Sequence, residues 1–381
     1  MKATGDLKQT VVWIVFTHTL LPNGPAHRLV TWLRSSGYEA VLAGLPMPGA
    51  DHFRLEFDLP GKPRRKVLKN IDKNVPSTQH LLNCIQALAW ATHLRRFNGV
   101  RICLVGCDPL AYLLARYSLK IAGVLVHSQV LYFVDWSAQR LDEHLTAQLY
   151  RSISRLAMLR ADHVRAISTP ASAALTTLAS GGKVVHDIPV MPNIPLRPAR
   201  NPDSWVSRKQ RLVYFGGIRS EHGAHLIPRI ATALDEYGLS GYHFDIAGDG
   251  PEVQSLKNQL RLLKNVTFHG TIEDSEALSQ LAQSARVGLA LYDPSYAMFA
   301  FNDPLKIKDY LSAGLRVVST LPTSVDDGVI LKTSYSVDSI VPAIVTALTE
   351  APAFPPNTHK ILHDGEKALT TLVEQITTEE N

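Results

Sequence analysis

Cysteine is scarce in this sequence, and its scarcity excludes a fold held together by disulfides. The 381 residues include only Cys84, Cys103 and Cys107, which cannot all pair with one another. Cys103 and Cys107 flank the end of an apolar segment and lack a convincing set of further ligands. We therefore predict that they are buried thiols rather than metal ligands.

Long hydrophobic runs are also missing. The longest apolar stretches, residues 11–16 and 123–126, have the length of strands and fall short of the roughly 18 residues of a membrane span. The N-terminal MKATGDLKQT lacks the apolar core of a secretion signal. With 45% hydrophobic and 19% charged residues, the composition is that of a globular protein, which we expect to be cytoplasmic.

A strong net charge is absent too, but the basic residues are unevenly placed. The net charge is +5, and residues 61–73, GKPRRKVLKNIDK, form a basic stretch with a single acidic residue. Such a run is commonly a solvated face. The functional alternative is peripheral contact with an anionic membrane surface through Arg64, Arg65, Lys66 and Lys69. Nucleic acid is disfavoured, because no aromatic residues interleave with these charges.

The order of predicted elements favours an α/β protein with two domains. Apolar strands at residues 11–16 and 211–218 each open a series in which strands and helices alternate, as in parallel sheets. The Pro-rich residues 183–202 predict a linker. We place the domains at residues 1–195 and 196–355. Within the first, we predict an irregular segment at 46–76, a helix at 78–97 and a strand that starts at 121–126.

Residues 302–320, NDPLKIKDYLSAGLRVVST, predict a loop, a short helix and a buried strand. Asn302 or Asp303 is a candidate helix cap, and Pro304 suits the first turn. Gly314 can end the helix in the left-handed conformation. A helix start of this kind, with free backbone N–H groups, suits a phosphate.

The two sides of this helix differ in chemistry. Ile307, Tyr310 and Leu311 share one face and are expected in the core. Lys306 and Asp309 lie together on the other side. The lysine suits a phosphate, and the carboxylate one turn later suits ribose hydroxyls. The alternative is an ordinary capped helix with a surface ion pair between Lys306 and Asp309.

Two glycine turns follow predicted strands in the second half. Because glycine has no side chain, these turns let the backbone approach a pyrophosphate closely. The first turn holds Gly216 and Gly217, with Arg219 as a further phosphate ligand, and the second holds Gly248, Asp249 and Gly250. The alternative is a pair of plain tight turns beside a solvated arginine.

Five segments in this order resemble the nucleotide-binding half of glycosyltransferases with the GT-B fold, in the broad family 4-like group. They are FGGIRSEHG, IAGDGPE, NVTFHGTI, RVGLALYDPS and PLKIKDYLSAGLRVVST. The resemblance implies two Rossmann-like domains facing across a cleft, with a C-terminal helix at residues 356–381 crossing back to the first domain. It implies transfer of a sugar, a hexosyl group, from a nucleoside diphosphate sugar to a hydroxyl acceptor such as a glycan or glycolipid, without a metal or other cofactor. The resemblance also implies that the donor is bound by Asp303, Pro304 and Leu305.

The sequence also departs from this family. Many members carry two glutamates, with seven residues between them, before the final glycine, where this chain has Phe301 and Asp309. The usual phosphate-binding Arg and Lys align with Gly217 and His222. Lys306 is a candidate replacement for the missing cation. The stereochemical outcome is left open.

The acceptor side offers two candidate catalytic residues. Asp135 ends the YFVDW segment, where some GT-B enzymes have a catalytic aspartate, and a structural helix-capping role is the alternative. His18 follows the first strand, and the alternative to a catalytic role is that it is a solvated loop histidine.

Other functions stay open. A nucleotide-sugar epimerase would use the same donor half without an acceptor. A non-catalytic scaffold on a degenerate GT-B frame is favoured by the missing glutamate and Arg/Lys pair. A dinucleotide-dependent dehydrogenase is disfavoured, because no Gly-x-Gly-x-x-Gly follows the first strand.

Overall fold

The structure is a computed structural model that describes residues 11–17, 23–44, 54–58, 64–67, 95, 99–135, 144–180, 187–197, 205–239, 241–321, 328–352 and 358–378. His18, Lys69, Cys84 and nearly all of the helix predicted at 78–97 lie outside these residues. The chain divides into two compact units, Met1–Pro192 with Thr371–Asn381 and Asn193–Thr370. The predicted domain boundaries stay predictions. None of the helices in the described residues is long and apolar enough to span a membrane.

The first unit contains a mixed sheet of seven strands. These are β1 (Val11–Thr17), β2 (Glu39–Gly44), β3 (Arg54–Asp58), β4 (Arg64–Val67), β5 (Arg101–Gly106), β6 (Ser128–Phe133) and β7 (His163–Ala166). Their order is β4-β3-β2-β1-β5-β6-β7. The pairs β1–β2, β1–β5, β5–β6 and β6–β7 are parallel. The chain fills the sheet outward from β1 in one direction and then in the other, so the order reverses between β1 and β5.

Helices connect these strands. They are α1 (Pro25–Ser35), α2 (Pro109–Ile121), α3 (His144–Met158) and α4 (Thr169–Ser180). The buried apolar residues of β1 confirm the first predicted strand. The predicted buried thiols are confirmed as well, since Cys103 and Cys107 are both free and buried. Burial raises the pKa of Cys107 to about 12, so this thiol is inert at neutral pH.

Two local predictions for this unit are wrong. The strand expected to start at 121–126 begins at Ser128, because α2 continues through Ile121 and Gly123 turns the chain with a φ of +73°. The segment expected to be irregular, 46–76, contains β3 and β4, which pair antiparallel at the edge of the sheet. Strand β4, which contains basic residues of the stretch 61–73, is the edge strand of the sheet. Their contact with an anionic surface stays a prediction.

The second unit contains a parallel sheet of six strands. These are β8 (Arg211–Gly217), β9 (His243–Asp249), β10 (Val266–Gly270), β11 (Val287–Ala290), β12 (Arg316–Ser319) and β13 (Ile330–Lys332), in the order β10-β9-β8-β11-β12-β13. The helices are α5 (Ile227–Glu236), α6 (Val253–Leu260), α7 (Ser275–Gln283), α8 (Leu305–Ser312), α9 (Val337–Thr349) and α10 (Thr358–Thr378), of which the last belongs to the first unit from Thr371 onward. The α/β class with two Rossmann-like sheets is thereby confirmed.

Strand β8 is buried on both faces, which explains its continuous apolar sequence. Leu212 and Tyr214 join the core that contains α5 and α9. Val213 and Phe215 join the opposite core, to which α7 and α8 contribute. The sheet therefore has helices on both faces, and its carboxyl edge is left for loops.

Tyr310 of α8 occupies the place where β8 and β11 stop pairing. Their ladder ends at the pair Gly288–Val213. Beyond it, the Tyr310 hydroxyl accepts a hydrogen bond from the N–H of Phe215 at 3.1 Å and donates to the carbonyl of Leu289 at 3.3 Å. The ring lies so close to Gly288 that an added Cβ would be 2.2 Å from it. A side chain thus replaces the next rung between the two central strands.

This contact predicts that Gly288→Ala destabilises the protein. The new methyl group overlaps the Tyr310 ring, so the free energy of unfolding should fall by about 1–3 kcal/mol or more. Chemical denaturation followed by circular dichroism measures it. The control is Gly365→Ala in α10, where an added Cβ meets its nearest atom at 3.4 Å and helix propensity favours alanine. Equal stability of the Gly288 variant and the parent would contradict the tight contact.

Candidate functional site

The site lies at the carboxyl end of β8 and β11, where the strand order of the second sheet reverses. Open α/β sheets bind ligands in the crevice at such a switch point. Strand β8 ends at Gly216 and Gly217, and β11 runs into Leu291 and Tyr292. Helix α8 begins nearby, so that three separate segments of sequence meet here.

The two glycine turns lie side by side. Gly216 of β8 is in register with Gly248 of β9, and their φ angles are +113° and +134°. A Cβ on Gly248 would lie 1.9 Å from the carbonyl oxygen of Gly216, so that only glycine fits there. The N–H of Ile218 donates to the carbonyl of Asp249 at 2.9 Å and fastens the turns together. The backbone is thus free of side chains at both strand ends.

Tyr214 and His222 hold the first turn in place. The Tyr214 hydroxyl lies 3.0 Å from the carbonyl oxygen of Gly217 and 3.1 Å from that of His222. The Nδ1 of His222 lies 3.1 Å from the Gly217 carbonyl and must donate to it. His222, which aligns with a phosphate-binding residue of the family, is here engaged with the loop backbone.

The start of α8 differs from the predicted cap. Pro304 is the N-cap residue, and no side chain caps the helix. The Asp303 carboxylate instead accepts from the N–H of Asn193 at 2.8 Å and pairs with Lys308. The caps proposed for Asn302 and Asp303 are therefore wrong, because Asp303 holds the chain that enters the second unit. Gly314 ends the helix with a φ of +78°, as predicted.

Lys306 is buried at this switch point. Its side chain is 7% exposed, and its Nζ lies 4.2 Å from the ring centre of Tyr214 and 5.0 Å from that of Tyr292. A Cβ on Gly216 would be 3.7 Å from its Cε. Within the described residues, this Nζ has no hydrogen-bond partner. Burial lowers its pKa to about 7.

Asp309 is 2% exposed, and its carboxylate accepts from the N–H of Leu196 at 2.8 Å. The Ser312 hydroxyl donates to the carbonyl of the same leucine at 2.9 Å. The alternative of a surface pair between Lys306 and Asp309 is wrong, because both side chains are buried. Asp309 positions the segment before β8, and its contact with ribose stays a prediction. The core prediction for Ile307, Tyr310 and Leu311 is confirmed by their burial.

Arg219 and Asp249 are the more exposed of the predicted residues. The Arg219 side chain is 53% exposed and lies 3.9 Å from the carboxylate of Glu221. The Asp249 carboxylate accepts from the N–H of Gly250 at 2.8 Å. Their roles in donor binding stay predictions.

In the first unit, Asp135 follows β6 by two residues and is half-buried at the carboxyl edge of the sheet. The order of the first sheet reverses between β1 and β5, and β6, which Asp135 follows, lies next to β5. The catalytic role of Asp135 stays a prediction, as does that of His18. In the part of the chain that the structure describes, no cluster of histidine, cysteine and acidic side chains could hold a metal ion.

The segment that contains this site matches a known protein family. Residues 209–350 match the family model described as "Glycosyl transferases group 1". They form a glycosyl transferases group 1 domain. A comparison with curated protein sequences gives no significant match.

Solved glycosyltransferase structures match nearly the whole chain. The pneumococcal O-GlcNAc transferase GtfA, in complex with UDP and GlcNAc, is 10% identical with a TM-score of 0.59, covering 97% of this chain and 99% of that one. An E. coli protein described as trehalose-6-phosphate bound with UDP-2-fluoro glucose has a TM-score of 0.59 at 11% identity, covering 96% and 99%. The avilamycin A glycosyltransferase AviGT4 has a TM-score of 0.53 at 17% identity, covering 97% of each chain. The chain therefore has the GT-B fold.

Sequence reasoning missed Tyr214 and Tyr292, and it noted His222 only as the residue aligned with a phosphate-binding position. Tyr292 lies in one motif segment and Tyr214 directly precedes another, but an apolar strand gives no sign that its neighbour in space is a lysine 92 or 14 residues away. The available signal was a tyrosine within β8 and another two residues after β11. It becomes informative only once the strand order is known.

The low pKa of Lys306 predicts a pH dependence of stability. The unfolded chain protonates this lysine up to about pH 10.5, whereas the folded chain does so only up to about pH 7. Between these values the unfolded state binds more protons, so the free energy of unfolding should rise with pH by a few kcal/mol at most, to order of magnitude. In Lys306→Met this rise should vanish. Urea titrations from pH 6.5 to 9.5 test it, and Lys209→Met, at an exposed lysine, is the control. A Lys306→Met curve parallel to the parent's would refute the shift.

Proposed function

We propose that the protein transfers a sugar, a hexosyl group, from a nucleoside diphosphate sugar to a hydroxyl acceptor, and that the second unit binds the donor. One observation carries the proposal. Among the residues that the structure describes, the buried ammonium of Lys306 has no hydrogen-bond partner, and it lies at the switch point of a glycosyl transferases group 1 domain.

A buried cation without a partner is costly, and an anionic ligand removes that cost. The two aromatic rings beside Lys306 offset only part of the lost hydration, because a cation–π contact contributes about 0.5–2 kcal/mol. A diphosphate supplies charged oxygens that can accept from Nζ and form charge-assisted hydrogen bonds. Its negative charge also raises the pKa of Lys306 and restores the ammonium form at neutral pH.

The surroundings fit a diphosphate in shape as well. Gly216 and Gly248 keep the two strand ends bare, so that a ligand can approach the backbone closely. The uncapped start of α8 adds the partial positive charge of a helix N-terminus. These features support a donor site in which no metal is required for the charge of the diphosphate, and we expect none.

The nature of the donor and acceptor rests on weaker support. The pneumococcal and E. coli structures hold UDP or a UDP-sugar analogue, which supports a nucleotide sugar for this chain. The basic stretch, which includes β4, supports a lipid-linked or cell-surface glycan precursor as acceptor. The protein would then act in the cytoplasm, at the inner face of a membrane.

The first test removes the cation. Lys306→Ala should weaken nucleoside diphosphate binding about ten- to hundredfold, because a charge-assisted hydrogen bond contributes roughly 1.5–3 kcal/mol. Isothermal titration calorimetry measures the affinity. Lys209→Ala, in the same unit before β8, should bind as the parent does. Unchanged affinity in a folded Lys306→Ala protein would exclude this donor site.

The second test concerns turnover. Asp135→Asn keeps the shape of the side chain and removes its basicity, so transfer should slow by ~10²-fold or more. Nucleotide affinity should stay within a few-fold of the parent, since Asp135 belongs to the first unit. Transfer at the parental rate would make Asp135 a structural residue. Binding without transfer or hydrolysis by the parent, with every acceptor tried, would favour the scaffold instead.

A further inference from the structure

Helix α3 of the first unit exposes its leucines. Leu145 and Leu149 are 77% and 62% exposed, and Leu156 is 39% exposed. Leu159, which directly follows the helix, is 82% exposed. We call these four residues the leucine stripe. Their spacings of four, seven and three residues place them on one side of the helix, over a length of ~21 Å.

The opposite side of α3 faces the protein and carries small residues. Ala147, Ser154 and Ala157 are 7%, 0% and 0% exposed. The leucines of the stripe therefore lie on the exposed side, whereas a helix that only covers a core turns its leucines inward. Exposed leucines in a row, rather than singly, mark a surface that binds something.

Positive charge borders the leucine stripe. Arg151, Arg155 and Arg160 lie on the exposed part of α3 and the turn after it, and residues 144–160 contain no aspartate or glutamate. The neighbouring helix α2 ends with an exposed Lys120, followed by Ile121 at 56% exposure and Leu125 at 72%. On α3, the charged residues that border the exposed leucines are all cations. Such a surface complements a partner that has an anionic outer layer and an apolar layer beneath it.

We propose that α3 lies on the surface of an anionic lipid bilayer, with the leucine stripe inserted among the acyl chains and the arginines against the headgroup phosphates. This is how a basic amphipathic helix binds in the plane of a membrane. Two partners could cover the leucine stripe, a lipid bilayer or a second copy of the chain, and charge complementarity favours the bilayer. A second copy of α3 would bring arginines against arginines, whereas anionic headgroups attract them. The proposal stands independently of the proposed transferase function.

The experiment is vesicle sedimentation of the full chain at physiological salt. The vesicles are pure phosphatidylcholine, or phosphatidylcholine with phosphatidylglycerol. We expect the parent to bind the anionic vesicles and to bind neutral vesicles much more weakly. Leu145→Gln, Leu149→Gln and Leu159→Gln combined should lower binding at least tenfold, because each leucine withdrawn from water is equivalent to roughly tenfold in partitioning.

A matched control replaces three exposed apolar residues of the second unit. Val206, Tyr237 and Leu262 are 67%, 60% and 82% exposed, and their combined change to glutamine should leave vesicle binding unchanged. A separate variant, Arg151→Gln with Arg160→Gln, should lose binding to anionic vesicles while keeping its weak binding to neutral ones. Since all these side chains are exposed, thermal melting curves should stay close to the parent's.

Two results would overturn the proposal. One is equal sedimentation of the parent and the leucine variant with anionic vesicles. The other is a parent that binds no vesicle but forms a dimer in analytical ultracentrifugation, which the leucine variant abolishes. That outcome would assign the leucine stripe to a second copy of the chain. Nucleotide affinity, measured on the same samples, should not change with the leucine variant, so failure of the donor site is detected separately.

Discussion

The desolvation of one ammonium group is the main electrostatic constraint at the switch point of the second unit. Lys306 is buried against Tyr214 and Tyr292 without a hydrogen-bond partner in the described residues, and its pKa falls to about 7. A group of this kind is costly in the free protein and becomes favourable when an anion arrives. An anionic donor, as proposed above, would offset this desolvation cost on binding.

Holding a lysine in that position requires a rigid frame. Tyr310 replaces a rung between β8 and β11, and Gly288 leaves room for its ring. Asp303, just before α8, and Asp309, within α8, accept hydrogen bonds from the backbone N–H groups of residues 193 and 196. Each of these polar groups has a partner, and together the contacts hold α8 in place.

The departures from the family pattern fall within this frame. His222 and Gly217 replace a cationic pair, and the imidazole binds the loop backbone rather than extending toward a ligand. In the proposed donor site, the positive charge then depends on Lys306 and on the start of α8. A single buried lysine is more sensitive to pH than a pair of exposed cations, since its pKa lies near neutrality.

The sequence by itself determined the α/β class, the strand of residues 316–319, the helix that begins at Leu305 and the glycine turns, because these depend on local periodicity and backbone conformation. It also indicated Lys306 as a phosphate ligand. Only the tertiary structure decided that Lys306 is buried, that Asp309 binds the linker rather than lying on the surface, and that Tyr214 and Tyr292 flank the cation. It alone revealed the outward leucines of α3. Strand order and helix orientation bring together residues that are far apart in the chain. The local sequence pattern around a residue does not indicate which distant residues will contact it.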